Sequence, residues 1–213
     1  MREQTYLLGP NASGKSNLLD VFRFLRDVSK PQGGGLQKVI SDRGGIPKLR
    51  CLHARRDPEV RIEVQLAESA EDPIPAYRYI LGFKSEGKGR QRAFVSAEEV
   101  WQGKEGTEGN EECLQRRPMS EDEKDPARLT QTHLEQIQSN EDFREIAAFF
   151  GSVTCLHLVP QLLKYGNQIG GQRLEHDPFG QGFLERVAKA SERVRKSRLE
   201  RIQKALLGGR TPV

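Results

Sequence analysis

The chain opens on a short apolar run, "TYLLG" (Thr5 to Gly9), which ends in a glycine. A helical pattern follows, in which Leu18, Leu19, Phe22, Leu25 and Val28 form one stripe and Asn17, Asp20, Arg23 and Asp27 fall outside it. This predicts strand, loop and helix, with Pro31 and Gly33 to Gly35 as the stop. Residues 36–56 have little periodicity. After them "EVRIEVQLAE" alternates Val60, Ile62, Val64 and Leu66 with charged or polar partners, "YRYILGFK" is aromatic and β-branched, and "RAFVSAEEVW" runs from Arg92 to Trp101. The separators "SAEDPIP" and "SEGKGRQ" are turn chemistry, so residues 58–101 read as an antiparallel meander in which Trp101 packs.

Residues 102–128, rich in Gly, Glu, Arg and Pro, are expected to form a long, poorly ordered surface excursion. Asn140 is placed to cap a helix that turns Phe143, Ile146, Ala147 and Phe150 to a core and stops at Gly151. "SVTCLHLVP" is a nearly continuous apolar run of strand length, the pattern of a strand covered on both faces. From Phe179 the pattern is helical again, with a second start at Ser191 and a glycine stop at Gly208 and Gly209.

Composition narrows the classes. The 213 residues are 30% charged and 35% apolar, and mean hydropathy is -0.68. No run approaches the roughly 18 apolar residues of a membrane span, and no signal peptide is visible, so a soluble cytoplasmic protein without membrane contact is expected. Cys51, Cys113 and Cys155 stand apart as reduced thiols, and His53, His133, His157 and His176 show no metal-ligand spacing. The net charge of +4 is uneven: residues 183–207 hold eight Lys or Arg against three Glu.

The chemistry sits in "GPNASGKSN", residues Gly9, Pro10, Asn11, Ala12, Ser13, Gly14, Lys15, Ser16 and Asn17. Gly9 and Gly14 permit backbone angles that turn successive amides inward, making a concave anion site, and the helix that opens there adds its positive dipole end. Lys15 is expected to reach the β and γ phosphates of ATP, and the Ser16 hydroxyl to coordinate Mg2+. "IGGQRLE" (Ile169 to Glu175) imitates an ATP-cassette signature but is followed by no apolar strand, so a glycine-rich turn explains it better. "DRGG" (Asp42 to Gly45) fits a GTPase string, yet no NKxD string accompanies it.

Beyond the loop, "LLGPNASGKSNLLDVFRFLRDV" resembles the head domain of ATP-binding-cassette ATPases of the RecF, SMC and Rad50 type, and among them the bacterial AAA family ATPases allied to the OLD nucleases. Pro10, Asn11, Asn17, Leu18, Leu19 and Asp20 carry the likeness, and "LTQTHLEQIQ" through "DPFGQGFLERVAK" extends it over most of the chain. The resemblance implies an α/β P-loop NTPase: a partial core over residues 1–161 containing the antiparallel β subdomain, and a helical arm over 162–213. It also implies a glutamine that senses Mg2+ and the γ phosphate. Gln161 is at the matching position, with a surface glutamine starting a turn as the other reading.

The pattern departs from such heads where hydrolysis is done. No apolar strand ending in Asp-Glu follows Val159, so the Walker B carboxylates and the signature loop are not visible, and the stretch corresponds to the first half of a head. Two functions are therefore expected to compete: the ATP-binding part of a RecF/SMC-like ATPase in DNA repair, maintenance or defence, and a non-catalytic or degenerate nucleotide-binding module. The resemblance further implies a second head, as a dimer, or a complementing downstream polypeptide. Glu185, Glu192 and Glu200 each precede a Lys by four residues, which suits a solvated helix. Arg186, Arg193, Arg195, Arg198 and Arg201 are outside that spacing and leave non-specific DNA contact as the second reading of the tail.

Overall fold

The computed structural model describes residues 5–49, 59–67, 69, 75–87, 90–103, 111–165, 179–180 and 182–208. They fall into two units, one ending at Val153 and one beginning at Thr154. Among the described residues no helix is long and apolar enough to cross a membrane.

In the first unit, helix α1 (Lys15–Val28) is followed by α2 (Leu36–Asp42) and α3 (Ile46–Leu49). Four strands come next: β1 (Val60–Leu66), β2 (Tyr77–Gly87), β3 (Arg90–Gly103) and β4 (Glu111–Arg117). They form one antiparallel sheet in the order β1-β2-β3-β4. The alternation predicted for the meander is present: Tyr79, Leu81 and Phe83 on β2 and Val95 and Val100 on β3 lie in the core, while Arg78 and Trp101 meet on the other face, the guanidinium 5.1 Å from the indole centroid. Helix α5 (Arg144–Ser152) adds Ile146, Ala147 and Phe150 to the same core.

The stripe on α1 is turned from the predicted one. Leu18 and Leu19 are exposed, and Phe24, outside the predicted stripe, is buried with Leu25 and Val28. Phe24 stacks on Phe83 with centroids 5.4 Å apart, and the Arg43 guanidinium covers its ring at 5.3 Å. Arg43 is held there by Asp20 at 3.1 Å and Asp27 at 3.6 Å. A charged residue 23 positions after Asp20 thus decides which face of the helix is covered, which no local period can show.

The segment expected to be a surface excursion carries β4, the short helix α4 (Ser120–Lys124) and a 3-10 turn at Pro126–Thr130. Its order comes from buried polar groups. Arg117 donates to both carboxylate oxygens of Asp122 at 2.7 and 3.1 Å and to the carbonyls of Arg128 and Gln131, each at 3.0 Å. Glu98 on β3 lies 3.5 Å from the same guanidinium and accepts from the Tyr79 hydroxyl and from the amides of His133 and Leu134. Burial pushes the Glu98 carboxyl up, whereas the Arg117 hydrogen bonds hold Asp122 below the usual carboxylate range. His133 is buried with Nδ1 unpartnered, and desolvation pulls it down to about 4.

Residues 36–49, unpatterned in sequence, are tied in by two side chains. Glu135 accepts from the amide of Leu36 at the start of α2 and from that of Thr132. Gln37 donates to the carbonyls of Ala93 and Thr130 and accepts from the Ala93 amide, clamping α2 to β3. Asn140 does not cap a helix with its side chain; it is buried and donates to the Leu134 carbonyl at 3.1 Å, and α5 begins four residues later.

Two predicted core strands are not formed. Residues 5–10 are irregular, with Tyr6 and Leu8 at 78% and 90% exposure, and residues 153–159 are irregular with Leu156 and Leu158 exposed. An apolar run becomes a buried strand only when neighbours supply its hydrogen bonds, and among the described residues neither run joins a ladder, the Val159 amide making a single bond to the Phe179 carbonyl at 3.5 Å. The strands expected at these two runs are thus not seen among the described residues, and the sheet that is seen is the antiparallel meander.

In the second unit, α6 (Pro160–Tyr165), α7 (Phe183–Lys189) and α8 (Glu192–Gly208) are helical. The i+4 spacing produces an ion pair between Glu185 and Lys189 at 2.6 Å. The "IGGQRLE" string lies outside the described residues.

Candidate functional site: the glycine-rich loop

The loop is built by two backbone turns into left-handed space. Gly14 has φ 88° and Ala12 has φ 64°. A Cβ on Gly14 would meet nothing within 4 Å, so glycine is required there for its backbone angle and not for room. Ala12, lacking that freedom, stores strain of about 1–2 kcal/mol. At Gly9 a Cβ would stand 2.9 Å from Ser13 Oγ, a hydroxyl that can turn aside, so the backbone places no comparable demand there.

Helix α1 starts immediately after Gly14, with the Leu18 amide donating to the Gly14 carbonyl at 3.0 Å. The amides before Leu18 in that turn have no intrahelical acceptor. The first turn carries no acidic residue that would occupy the positive end of the dipole. Lys15 folds back over the loop and donates to the carbonyls of Gly9 at 2.8 Å and Pro10 at 2.6 Å and to Ser13 Oγ at 3.3 Å. Ser16 and Asn17 are exposed. The result is an open cradle of amide donors with one ammonium at its rim and a hydroxyl beside it, a donor set matched to a polyphosphate.

Of the residues singled out in sequence, Gly9 to Asn17 form the loop and the first residues of α1. Gln161 is the second residue of α6 in the other unit and is exposed. Among the described residues no group of three or more His, Cys, Asp or Glu is placed to hold a metal ion. The side chains that sequence reasoning missed, Gln37, Glu98, Arg117, Asp122 and Glu135, hold the fold on which α1 rests. The only signal for them was a set of polar residues next to apolar strands, which is shared by many surface positions.

A glycine loop with two left-handed residues, a helix opening on it and a lysine lying across it are the parts of a phosphate-binding loop. Residues 5–154 match the AAA_21 family model, described as "AAA domain, putative AbiEii toxin, Type IV TA system". The chain belongs to that family, and nucleotide binding of the AAA ATPase kind goes with it. No curated protein and no solved structure gives a match.

Proposed function

We propose that this chain binds Mg-ATP through residues 9–17 as the nucleotide-binding part of a RecF/SMC-like ATPase that acts on DNA in repair, maintenance or defence. The observation that carries the nucleotide-binding part of this reading is the position of Lys15, and the role on DNA rests on the resemblance. Its ammonium donates to the Gly9 and Pro10 carbonyls, neutral acceptors that a triphosphate would outcompete by offering full negative charge. The amides of Ser13 to Asn17 would hold the β phosphate, and Lys15 would bridge the β and γ groups. Ser16 Oγ would hold the Mg2+ that neutralises charge on the phosphates.

Turnover also needs a carboxylate to orient the attacking water, and no apolar strand ending in Asp-Glu is present in the sequence after Val159. A second reading is a non-catalytic nucleotide-binding module, in which these residues hold ATP without hydrolysing it. The test is binding of a fluorescent ATP analogue with Mg2+ to the full chain and to Lys15→Ala. Binding by the full chain that the substitution reduces at least tenfold supports the site. Equal affinity for the two proteins overturns it. Lys15-dependent phosphate release at about 1 per second or faster by the chain alone would refute the non-hydrolysing reading.

A further inference from the structure

The antiparallel sheet ends in two strands that, among the described residues, pair on one side only, and the two edges are built differently. In β4 the ladder is broken: Val100 pairs with Gln115 and Trp101 with Cys113, so Leu114 is an inserted residue. Such a bulge twists an edge and interrupts its outward row of donors and acceptors, a common guard against pairing with another chain. In β1 there is no such guard. All seven residues from Val60 to Leu66 stay in continuous register with β2, without bulge or proline. Its outward row of N-H and C=O groups is a regular template.

The side chains of β1 say what would fit that template. Val60, Ile62 and Val64 face the core but are only half-buried, while the residues they oppose on β2, Phe83, Leu81 and Tyr79, are fully buried. A further strand would cover them. On the other face Arg61 and Glu63 are exposed, two positions apart and opposite in charge.

We propose that a second copy of this chain pairs antiparallel with β1 about a two-fold axis at Ile62, joining the two sheets into one of eight strands. In this register Arg61 lies opposite Glu63 of the second copy, Glu63 opposite its Arg61, Val60 opposite its Val64, and Ile62 opposite Ile62. Moving the axis one residue either way sets Arg61 against Arg61 or Glu63 against Glu63. Opposite charges across a strand pair stabilise and like charges destabilise, so the charge pattern selects the Ile62 register. The contact is isologous and closes as a dimer. Glu63 also lies 3.7 Å from Arg78 of its own chain, a contact loose enough to be shared with a second guanidinium. The pairing does not rest on the nucleotide reading.

Sedimentation of the nucleotide-free full chain tests it. The wild type and Lys15→Ala should both sediment as dimers, which separates this contact from any dimer held together by ATP. Arg61→Glu alone and Glu63→Arg alone each convert both charge pairs to repulsion, so each should weaken association by roughly tenfold or more. Mixed in equal amounts, the two variants restore both pairs and should re-form a dimer. A wild type that stays monomeric, an Arg61→Glu protein that dimerises as tightly as wild type, or a mixture that remains monomeric overturns the proposal. A second measurement covers the case in which a charge variant misfolds: Ile62→Cys, with Cys51, Cys113 and Cys155 changed to Ser. Side chains directly opposed across a strand pair have Cβ atoms about 4.5–5.5 Å apart, close to disulfide reach. Mild oxidation should therefore give a disulfide-linked dimer, and its failure to form overturns the register.

Discussion

Replacing Arg117 by methionine keeps most of the volume and removes the guanidinium from the centre of the first unit. Arg117 and Asp122 have side chains only 1% exposed, and Glu98 is at 0%, so neither carboxylate can turn to water without moving the backbone. Breaking a buried pair by deleting one partner costs about 3–5 kcal/mol, because the remaining charge stays desolvated. The Arg128 and Gln131 carbonyls also lose their donors, at about 1 kcal/mol each. Protonation of Glu98, whose carboxyl is already pushed up by burial, offsets part of this, so the expected loss at pH 7 is about 4 kcal/mol. That is a large share of the roughly 5–15 kcal/mol typical of a domain. The sign with pH follows from the same groups. In the wild type the depressed Asp122 contributes stability above its ordinary value and loses it as pH falls through the lowered one. In the variant that depression is gone, so the gap between the two proteins should narrow as pH is lowered below the ordinary carboxylate value of 3.8. Trp101, the only tryptophan, reports on β3, and urea titrations followed by its fluorescence at several pH values measure the difference. A loss under about 1 kcal/mol at pH 7 with no pH dependence would mean that the cluster is hydrated, and the burial argument would fail.

Gly14→Ala forces a side chain into φ 88° at the helix start and should reduce ATP-analogue binding at least tenfold while leaving the far-UV spectrum unchanged; undiminished affinity would show that the loop's backbone angle does not matter to binding. His133, held neutral by burial and titrating at about 4 in the folded chain against 6.5 ordinarily, contributes stability that is complete above about pH 6.5 and is lost as pH falls towards 4. A histidine resonance that titrates above 6 in the native state, assigned by its loss in His133→Gln, would contradict this. Gln37→Ala removes three hydrogen bonds that join α2 to β3 and to Thr130, and about 2 kcal/mol of stability should go with them, read from the same urea titration. If the α7 and α8 arginines contact DNA, labelled duplex should bind the full chain without sequence preference, weaken steeply with salt, and not bind a chain ending at Gly182; equal binding by the shortened chain removes the tail as the site.

Local patterns determined what local physics determines. The loop from Gly9 to Asn17, the helix after it and the alternating strands of the meander were all legible, because each depends on residues within a turn or a strand length of one another. The loop in particular needs only glycine at a left-handed position, a lysine beside it and a helix start. Tertiary structure decided the rest. Phe24 is buried in place of Leu18 and Leu19 because Phe83 and Arg43, both outside the helix, pack on its ring. Residues 111–130 are ordered because a buried arginine satisfies one carboxylate from its own segment and another from β3. Composition read that same stretch as surface, since an ion pair and a solvated charge are identical in sequence. The two apolar runs at residues 5–9 and 153–159 show the converse limit. Their patterns state that burial would be favourable, but a strand's ladder needs a neighbour, and apolar side chains alone do not provide one.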